Sequence, residues 1–262
     1  MQIDASVVEK YLSGGSDITY ADHWVFNEIE PGNNVFAKPD KKRTKEVEEC
    51  YEKVIEICDR FSFLNDQMIN DIFGDIQEVL EGANIILTVG MPPMYDAMVR
   101  TFQGEMYVIL DLINFSDYVA KEIDINDIII GMLSHEFIHL LINKKYPADD
   151  LSYEESLNYI AFHEGFAHLL SYKEDLNDYQ ADDEIYEKYF KRAKKKLSLA
   201  VAEKDPLKCE VYLFEANAGN YWGKFAAIAS KLYLLKHIDS LKQIYNDGWQ
   251  SYIDKVVNYD WD

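Results

Sequence analysis

Cysteine is scarce. The chain has three, Cys50, Cys58 and Cys209, an odd number with no zinc-ribbon spacing, so neither a disulfide framework nor a cysteine-held metal is expected. Cys50 and Cys58 lie eight apart in a helical stretch and read as small buried hydrophobes. Positive charge is also in short supply. Lys and Arg total 26 against 47 Asp and Glu, giving a net charge of −21. A surface this acidic repels phosphate backbones and anionic headgroups, so nucleic acid and membrane surfaces are poor partners. There are four arginines (Arg43, Arg60, Arg100 and Arg192), and none sits in a context that marks a carboxylate clamp. No run approaches the ~18 uncharged apolar residues of a spanning helix. Met1-Gln2-Ile3-Asp4-Ala5-Ser6 has neither a basic start nor an apolar core, so no signal peptide is read. The expected location is the cytoplasm, or the sequence is the mature part of an exported protein. Internal repeats and low-complexity linkers are lacking, and nothing in the sequence sets an oligomeric state.

What remains is a chain of 262 residues, 48% hydrophobic and 14% aromatic. That is enough to bury roughly 70–75% of its unfolded surface around a core. Ser13-Gly14-Gly15-Ser16 and Pro31-Gly32-Asn33-Asn34 are turn clusters, and the aromatic-rich Thr19 to Ile29 between them is read as holding a short strand. Helical spacing runs from Thr44 to Arg60 and from Asn65 to Leu80. Asn84 to Val89 and Met106 to Asn114 are expected strands. From Asp124 onward the pattern is helical. One helix is expected over about 126–143, capped by Asp124 or Asn126. Another runs from Ser152 to about Asp175, opened by the capping box Ser152-Tyr153-Glu154-Glu155. Helices over Asp182–Leu199, Asn217–Leu235 and Asp239–Val257 complete the set. The basic run Lys191 to Lys196 is read as a solvated helix end that complements the macrodipole and the acids one turn earlier. The fold class is therefore α+β, mostly α, with a mixed α/β part over 1–123 and a helical part over 124–262.

Four of the six histidines fall between 135 and 168. In His135-Glu136-Phe137-Ile138-His139, residues four apart share one helix face, so two imidazoles can converge on one metal ion. Glu136 is rotated by roughly 100° from His135. It is poorly placed as a ligand but within reach of water at the metal, where a general base belongs. The flanks Ile128-Ile129-Ile130 and Leu140-Leu141-Ile142 are apolar. Polar groups in such a helix need partners, because burying them unpaired is costly. A metal is one partner; hydrogen bonds among core histidines are the other. A catalytic zinc takes a third protein ligand and keeps a fourth position open. Glu164, in His163-Glu164-Gly165-Phe166-Ala167-His168 on the following helix, is the choice. Glu155 is occupied by the capping box, and Glu154 stands at the helix start beside it. Gly165 and Ala167 are expected to let the two histidine-bearing helices approach closely. His168, four residues from Glu164, is read as an outer donor, an oxyanion donor or a fourth ligand. His163, His23 and His237 are read as ordinary packing residues.

The pattern His-Glu-x-x-His followed by Glu-Gly-x-Ala resembles the gluzincin branch of zinc metallopeptidases, and most closely the uncharacterised bacterial families described as predicted zinc-dependent peptidases. The likeness covers His135 to His168 and extends weakly to Gly219-Asn220-Tyr221-Trp222-Gly223. It implies a single zincin-like catalytic domain over 1–262, with a small N-terminal sheet followed by helices. It implies His135, His139 and Glu164 as Zn2+ ligands and Glu136 as the base that activates a zinc-bound water to cleave a peptide or protein substrate. It also implies that a sheet edge lines the cleft, for which Met106 to Leu112 is the expected strand; such an edge holds a peptide by β-augmentation. Tyr221, between two glycines that would let its helix approach, is the expected oxyanion donor. The sequence departs from the thermolysin-like pattern, where an Asp follows the ligand Glu by one turn; this chain has His168. Asn143 is the expected substitute partner for a ligand histidine. Two other readings stand beside the hydrolase. One is a non-catalytic protein whose zinc is closed by His135, His139, Glu164 and His168. The other is a ferritin-like carboxylate metal protein, for which Glu136-x-x-His139 supplies half of the signature.

Overall fold

A computed structural model describes residues 1–16, 20–29, 32–74, 76–93, 95–172, 176, 179 and 184–261. In chain order its regular elements are β1 (Gln2–Asp4), α1 (Ser6–Leu12), α2 (Thr44–Asp59), α3 (Asp66–Phe73), α4 (Ile76–Gly82), β2 (Asn84–Thr88), β3 (Ala97–Phe102), β4 (Glu105–Asp111), α5 (Leu112–Ala120), α6 (Ile125–Lys145), α7 (Tyr153–Leu170), α8 (Glu184–Ala202), α9 (Pro206–Asn217), α10 (Phe225–Lys236), α11 (Leu241–Asp247) and α12 (Tyr252–Asn258). The class is α+β and mostly helical. The chain forms two compact units, 1–62 with 77–137, and 63–76 with 138–262. The division falls inside α6, which runs through it unbroken.

In the first unit a four-stranded sheet has the order β1-β2-β4-β3. β2 pairs in parallel with both β1 and β4, and β3 closes an antiparallel hairpin on β4. Parallel strands are covered on both faces and read as continuous apolar runs; β2 does so and is buried from Ile85 to Thr88. A mixed sheet also sets this chain apart from a pure helical bundle of the ferritin-like kind. Gln103 and Gly104, both at positive φ (52° and 85°), form the two-residue turn of the β3–β4 hairpin, the geometry that matches strand twist. This corrects the expectation for Met106 to Leu112. That segment is not an edge: β4 is hydrogen-bonded on both sides, and its backbone cannot accept an added peptide. The edge strands are β1 and β3, and the edge beside β4 is β3, whose sequence Ala-Met-Val-Arg-Thr-Phe is half-buried at most positions and carries no clean alternation. Arg100 of β3 donates to the carbonyls of Val25 and Asn27 at 2.9 and 2.7 Å, and Trp24 stacks on Phe102 with centroids 4.2 Å apart. These contacts hold Trp24–Phe26 as one turn of 3-10 helix, so no strand forms among the described residues of the Thr19–Ile29 stretch. Thr19 and Pro31 lie outside the described residues. Cys50 and Cys58 are buried, as expected, and burial pushes both thiols up to about 12.

Asp111 ends β4 and begins α5. Its Oδ1 accepts from the Asn114 amide at 3.0 Å and its Oδ2 from the Met91 amide at 2.8 Å, so it caps the helix and ties down the chain after β2. Complete burial dominates over these bonds and pushes the carboxyl up to about 7. A carboxyl titrating near 3.9 when unfolded and near 7 when folded stabilises the fold fully below ~4 and loses that contribution as the pH rises through 7. The wild type should therefore gain stability relative to Asp111→Asn between pH 8 and pH 5.5. Urea midpoints at the two pH values measure this; a constant difference would show that Asp111 is ionised throughout.

In the second unit α7 begins as expected. The Ser152 hydroxyl accepts from the Glu155 amide, and the Glu155 carboxylate accepts from the Ser152 amide at 2.9 Å. α7 ends at Leu170, while residue 175, the expected end, lies outside the described residues. The central partner of α7 is α10, in which every residue from Phe225 to Leu235 is buried. The two helices meet at Gly165, where an added Cβ would stand 2.5 Å from Ser230 Cβ and 3.3 Å from Leu234 Cδ1. Gly165 thus opens α7 to α10, not to α6 as expected. Expected long helices are broken: Gly74 at φ 88° separates α3 from α4, and Gly248 at φ 80° separates α11 from α12. The expected Asn217–Leu235 helix is the end of α9, a 3-10 turn over Tyr221–Gly223 and α10. Asp205 caps α9 through the amides of Leu207 and Lys208, with Pro206 at its first position. The basic run on α8, whose expected start at Asp182 lies outside the described residues, is internally engaged. Lys191 pairs with Glu187, Lys194 with Asp260 and Lys196 with Glu215, and Arg192 donates to the Trp222 carbonyl.

α6 begins one residue before the expected span and ends two after it. Its cap is Asp124, whose Oδ1 accepts from the Asn126 amide at 2.9 Å. Among the described residues it is the one helix long and apolar enough to cross a membrane by length and composition, and 56% of that window is buried within the protein, as in a core helix.

Candidate metal centre

α6 carries His135 and His139 one turn apart, and α7 carries Glu164 and His168 one turn apart. One nitrogen each from His135 and His168 and an oxygen of Glu164 all lie within 4.8 Å of one another. His139 reaches the same carboxylate: its Nε2 is 3.6 Å from Glu164 Oε1, and His168 Nε2 is 3.5 Å from Oε2. Both separations exceed the range of a good hydrogen bond. They match instead the roughly 3.3 Å between two donors held ~2.0–2.1 Å from one tetrahedral ion. The donor set of imidazoles and one carboxylate, all partly buried, suits a divalent transition-metal ion. Of the three expected ligands, His135 and Glu164 belong to the tight group with His168, and His139 adjoins it through Glu164.

Glu164 is held from a third direction. Asn217 at the end of α9 donates from Nδ2 to Oε1 at 3.3 Å, the kind of outer contact that orients a ligand carboxylate. Glu136 is buried on α6. His163 is also buried, and it does more than fill space: its ring stacks on that of His139 with centroids 5.8 Å apart and lies tilted against Tyr159 at 3.9 Å. Its Nε2 has no hydrogen-bond partner among the described residues. Desolvation, helped by His139, drives its pKa well below the usual imidazole range, so it is a neutral backing plate. Asn143 does not meet the His139 ring as expected. Its Nδ2 donates to the His139 carbonyl at 2.9 Å within α6, and its Oδ1 accepts from the Tyr159 hydroxyl; it ties α6 to α7 through the Tyr159 side chain. His23 caps a 3-10 turn and His237 bonds the Tyr233 carbonyl, local roles that fit their plain readings.

Tyr221 stands in the 3-10 turn, not in a helix. Its ring meets the His168 ring edge to face at 5.3 Å, and its hydroxyl accepts from Lys231 Nζ at 2.9 Å. Neither neighbouring glycine is there for close approach: an added Cβ meets nothing within 4 Å at Gly219 and only an ordinary contact at Gly223. Gly219 instead supplies a φ of 90°. Burial pushes the Tyr221 phenol up to about 12, although the residue as a whole is 38% exposed. Asn217 and Lys231 were not singled out in the sequence. Lys231 left a signal, a lone cation in the apolar run Phe225 to Leu235. Asn217 left none, because its role depends on how α9 lies against α7.

Comparison with known protein families, with curated proteins and with solved structures finds no match.

Proposed function

We propose that this protein is a zinc-dependent hydrolase of the gluzincin kind and that it cleaves peptide bonds. The observation that carries this reading is Glu164, seated between imidazoles of both helices at separations suited to a shared ion. His135, His139 and Glu164 hold the metal, and Asn217 steadies the carboxylate. Zinc, when bound, supplies a Lewis acid for the substrate carbonyl and acidity for water. Glu136, one residue on from a ligand, takes the proton from the attacking water. The water oxygen bonds to the acyl carbon, the C–N bond breaks, and the proton passes from Glu136 to the leaving amine. The Tyr221 hydroxyl donates to the carbonyl oxygen as it gains charge. The assay is hydrolysis of casein by purified protein. Activity should vanish on chelation and return with one equivalent of zinc; undiminished activity in metal-free protein would refute the reading.

A second reading draws on the place of His168 in the tight group. With His168 as a fourth ligand the site is closed and the zinc structural. Chelation would then unfold the protein, and no hydrolysis would be found with zinc bound.

A further inference from the structure

α10 is buried along its length, yet it carries a lysine. Lys231 is 4% exposed, and among the described residues no carboxylate pairs with it. An isolated ammonium in such a place is costly. What it has instead is aromatic. Its Nζ lies 5.1 Å from the Tyr179 ring centroid, 5.6 Å from Tyr221 and 5.8 Å from Tyr172, within the range of cation–π attraction. Among the described residues its directed bond goes to the Tyr221 hydroxyl at 2.9 Å. Desolvation lowers its pKa to about 8, which leaves it mostly protonated at neutral pH.

An ammonium has three donors and no acceptor, whereas a phenol is both. The Lys231–Tyr221 bond therefore has a single sense: nitrogen donates, oxygen accepts. The phenol's own proton must then point away from Lys231. Through its ring, Tyr221 abuts His168, whose Nε2 is 3.5 Å from Glu164. We infer that Lys231 is a positioning residue for the hydrolysis: it occupies the acceptor side of the Tyr221 oxygen, so that the hydroxyl proton is presented to the anionic oxygen that develops on the substrate. The inference rests on the peptidase reading above and extends it to a residue that touches neither metal nor substrate. The tyrosine cage keeps the cation desolvated and close, so its charge strengthens the phenol as a donor when negative charge appears.

The experiment is steady-state kinetics on zinc-loaded wild type, Lys231→Met, Lys231→Arg, Tyr221→Phe and the Lys231→Met/Tyr221→Phe pair, with zinc content measured on each. Removing one oxyanion donor lowers kcat by about a hundredfold to a thousandfold. Lys231→Met should show a drop of that order with KM and zinc content unchanged. Tyr221→Phe should match it, the pair should fall no further, and Lys231→Arg should recover most of the loss. A kcat within twofold of wild type for Lys231→Met, a change confined to KM, or losses that multiply in the pair would overturn the inference while leaving the peptidase reading intact. Absence of zinc or of activity in the wild type would remove both, and the zinc content tells the cases apart. Should Lys231→Met fail to fold, wild type carrying 13Cζ-tyrosine serves, with the Tyr221 signal assigned by its loss in Tyr221→Phe. Inorganic phosphate added to the zinc-loaded protein should move that signal; an unmoved signal would overturn the inference.

Discussion

Glu136→Gln is expected to leave zinc bound at one equivalent and to lower kcat for peptide hydrolysis by about a hundredfold to ten-thousandfold, the span assigned to a positioned general base. At ~1.36 kcal/mol per tenfold, that removes roughly 3–5 kcal/mol of transition-state stabilisation. The substitution preserves size and a hydrogen-bonding oxygen but cannot take up a proton. Glu136 lies outside the tight group of His135, Glu164 and His168, so its loss should not empty the site. It is buried on α6, so the isosteric amide is the appropriate change; alanine would add a packing defect to the chemical one. Zinc content and kcat measured on one preparation separate the two effects. Retained activity would remove Glu136 from the mechanism. Loss of zinc together with activity would make it a ligand.

The second large effect is expected at Glu164. Replacing it with Ala should weaken zinc binding by more than about a hundredfold, because mutating mere outer partners of metal ligands already costs 10–100-fold. Glu164 stands 3.6 Å from His139 Nε2, 3.5 Å from His168 Nε2 and 3.3 Å from Asn217 Nδ2. No other carboxylate belongs to the cluster among the described residues. A competition titration against a chromophoric chelator reads the affinity. In the catalytic reading His168→Ala should cost less, since His135, His139 and Glu164 remain. Equal losses for Glu164→Ala and His168→Ala would favour the closed site.

Local patterns were legible where a single helix or strand decides the outcome. The period of α6, the Ser152–Glu155 capping box and the apolar run of β2 all read directly from spacing and composition, because each is satisfied by near neighbours. The two histidines of α6 and the Glu164–His168 pair of α7 were legible for the same reason: helical spacing alone puts each pair on one face. Which of those four groups come closest was not, since that depends on how two helices and four rotamers meet. β3 was missed because its half-exposed sequence carries no alternation, and with it went the edge assigned to Met106–Leu112. α9 carries a readable start in Asp205-Pro206, a capping acid followed by proline at the first helical position. The breaks at Gly74 and Gly248 were hidden by apolar periodicity that continues across both glycines. Lys231 shows the reverse case: one residue contradicted its surroundings, and the contradiction marked the place where a tertiary partner, Tyr221, had to be.

X-ray absorption at the zinc edge of the purified protein addresses the central assignment most directly. One zinc per chain, with two imidazoles and oxygen donors at about 2.0–2.2 Å, one oxygen being exchangeable with solvent, is the predicted result. A protein that holds no zinc, or a shell filled by three imidazoles and Glu164 with no exchangeable oxygen, would contradict it.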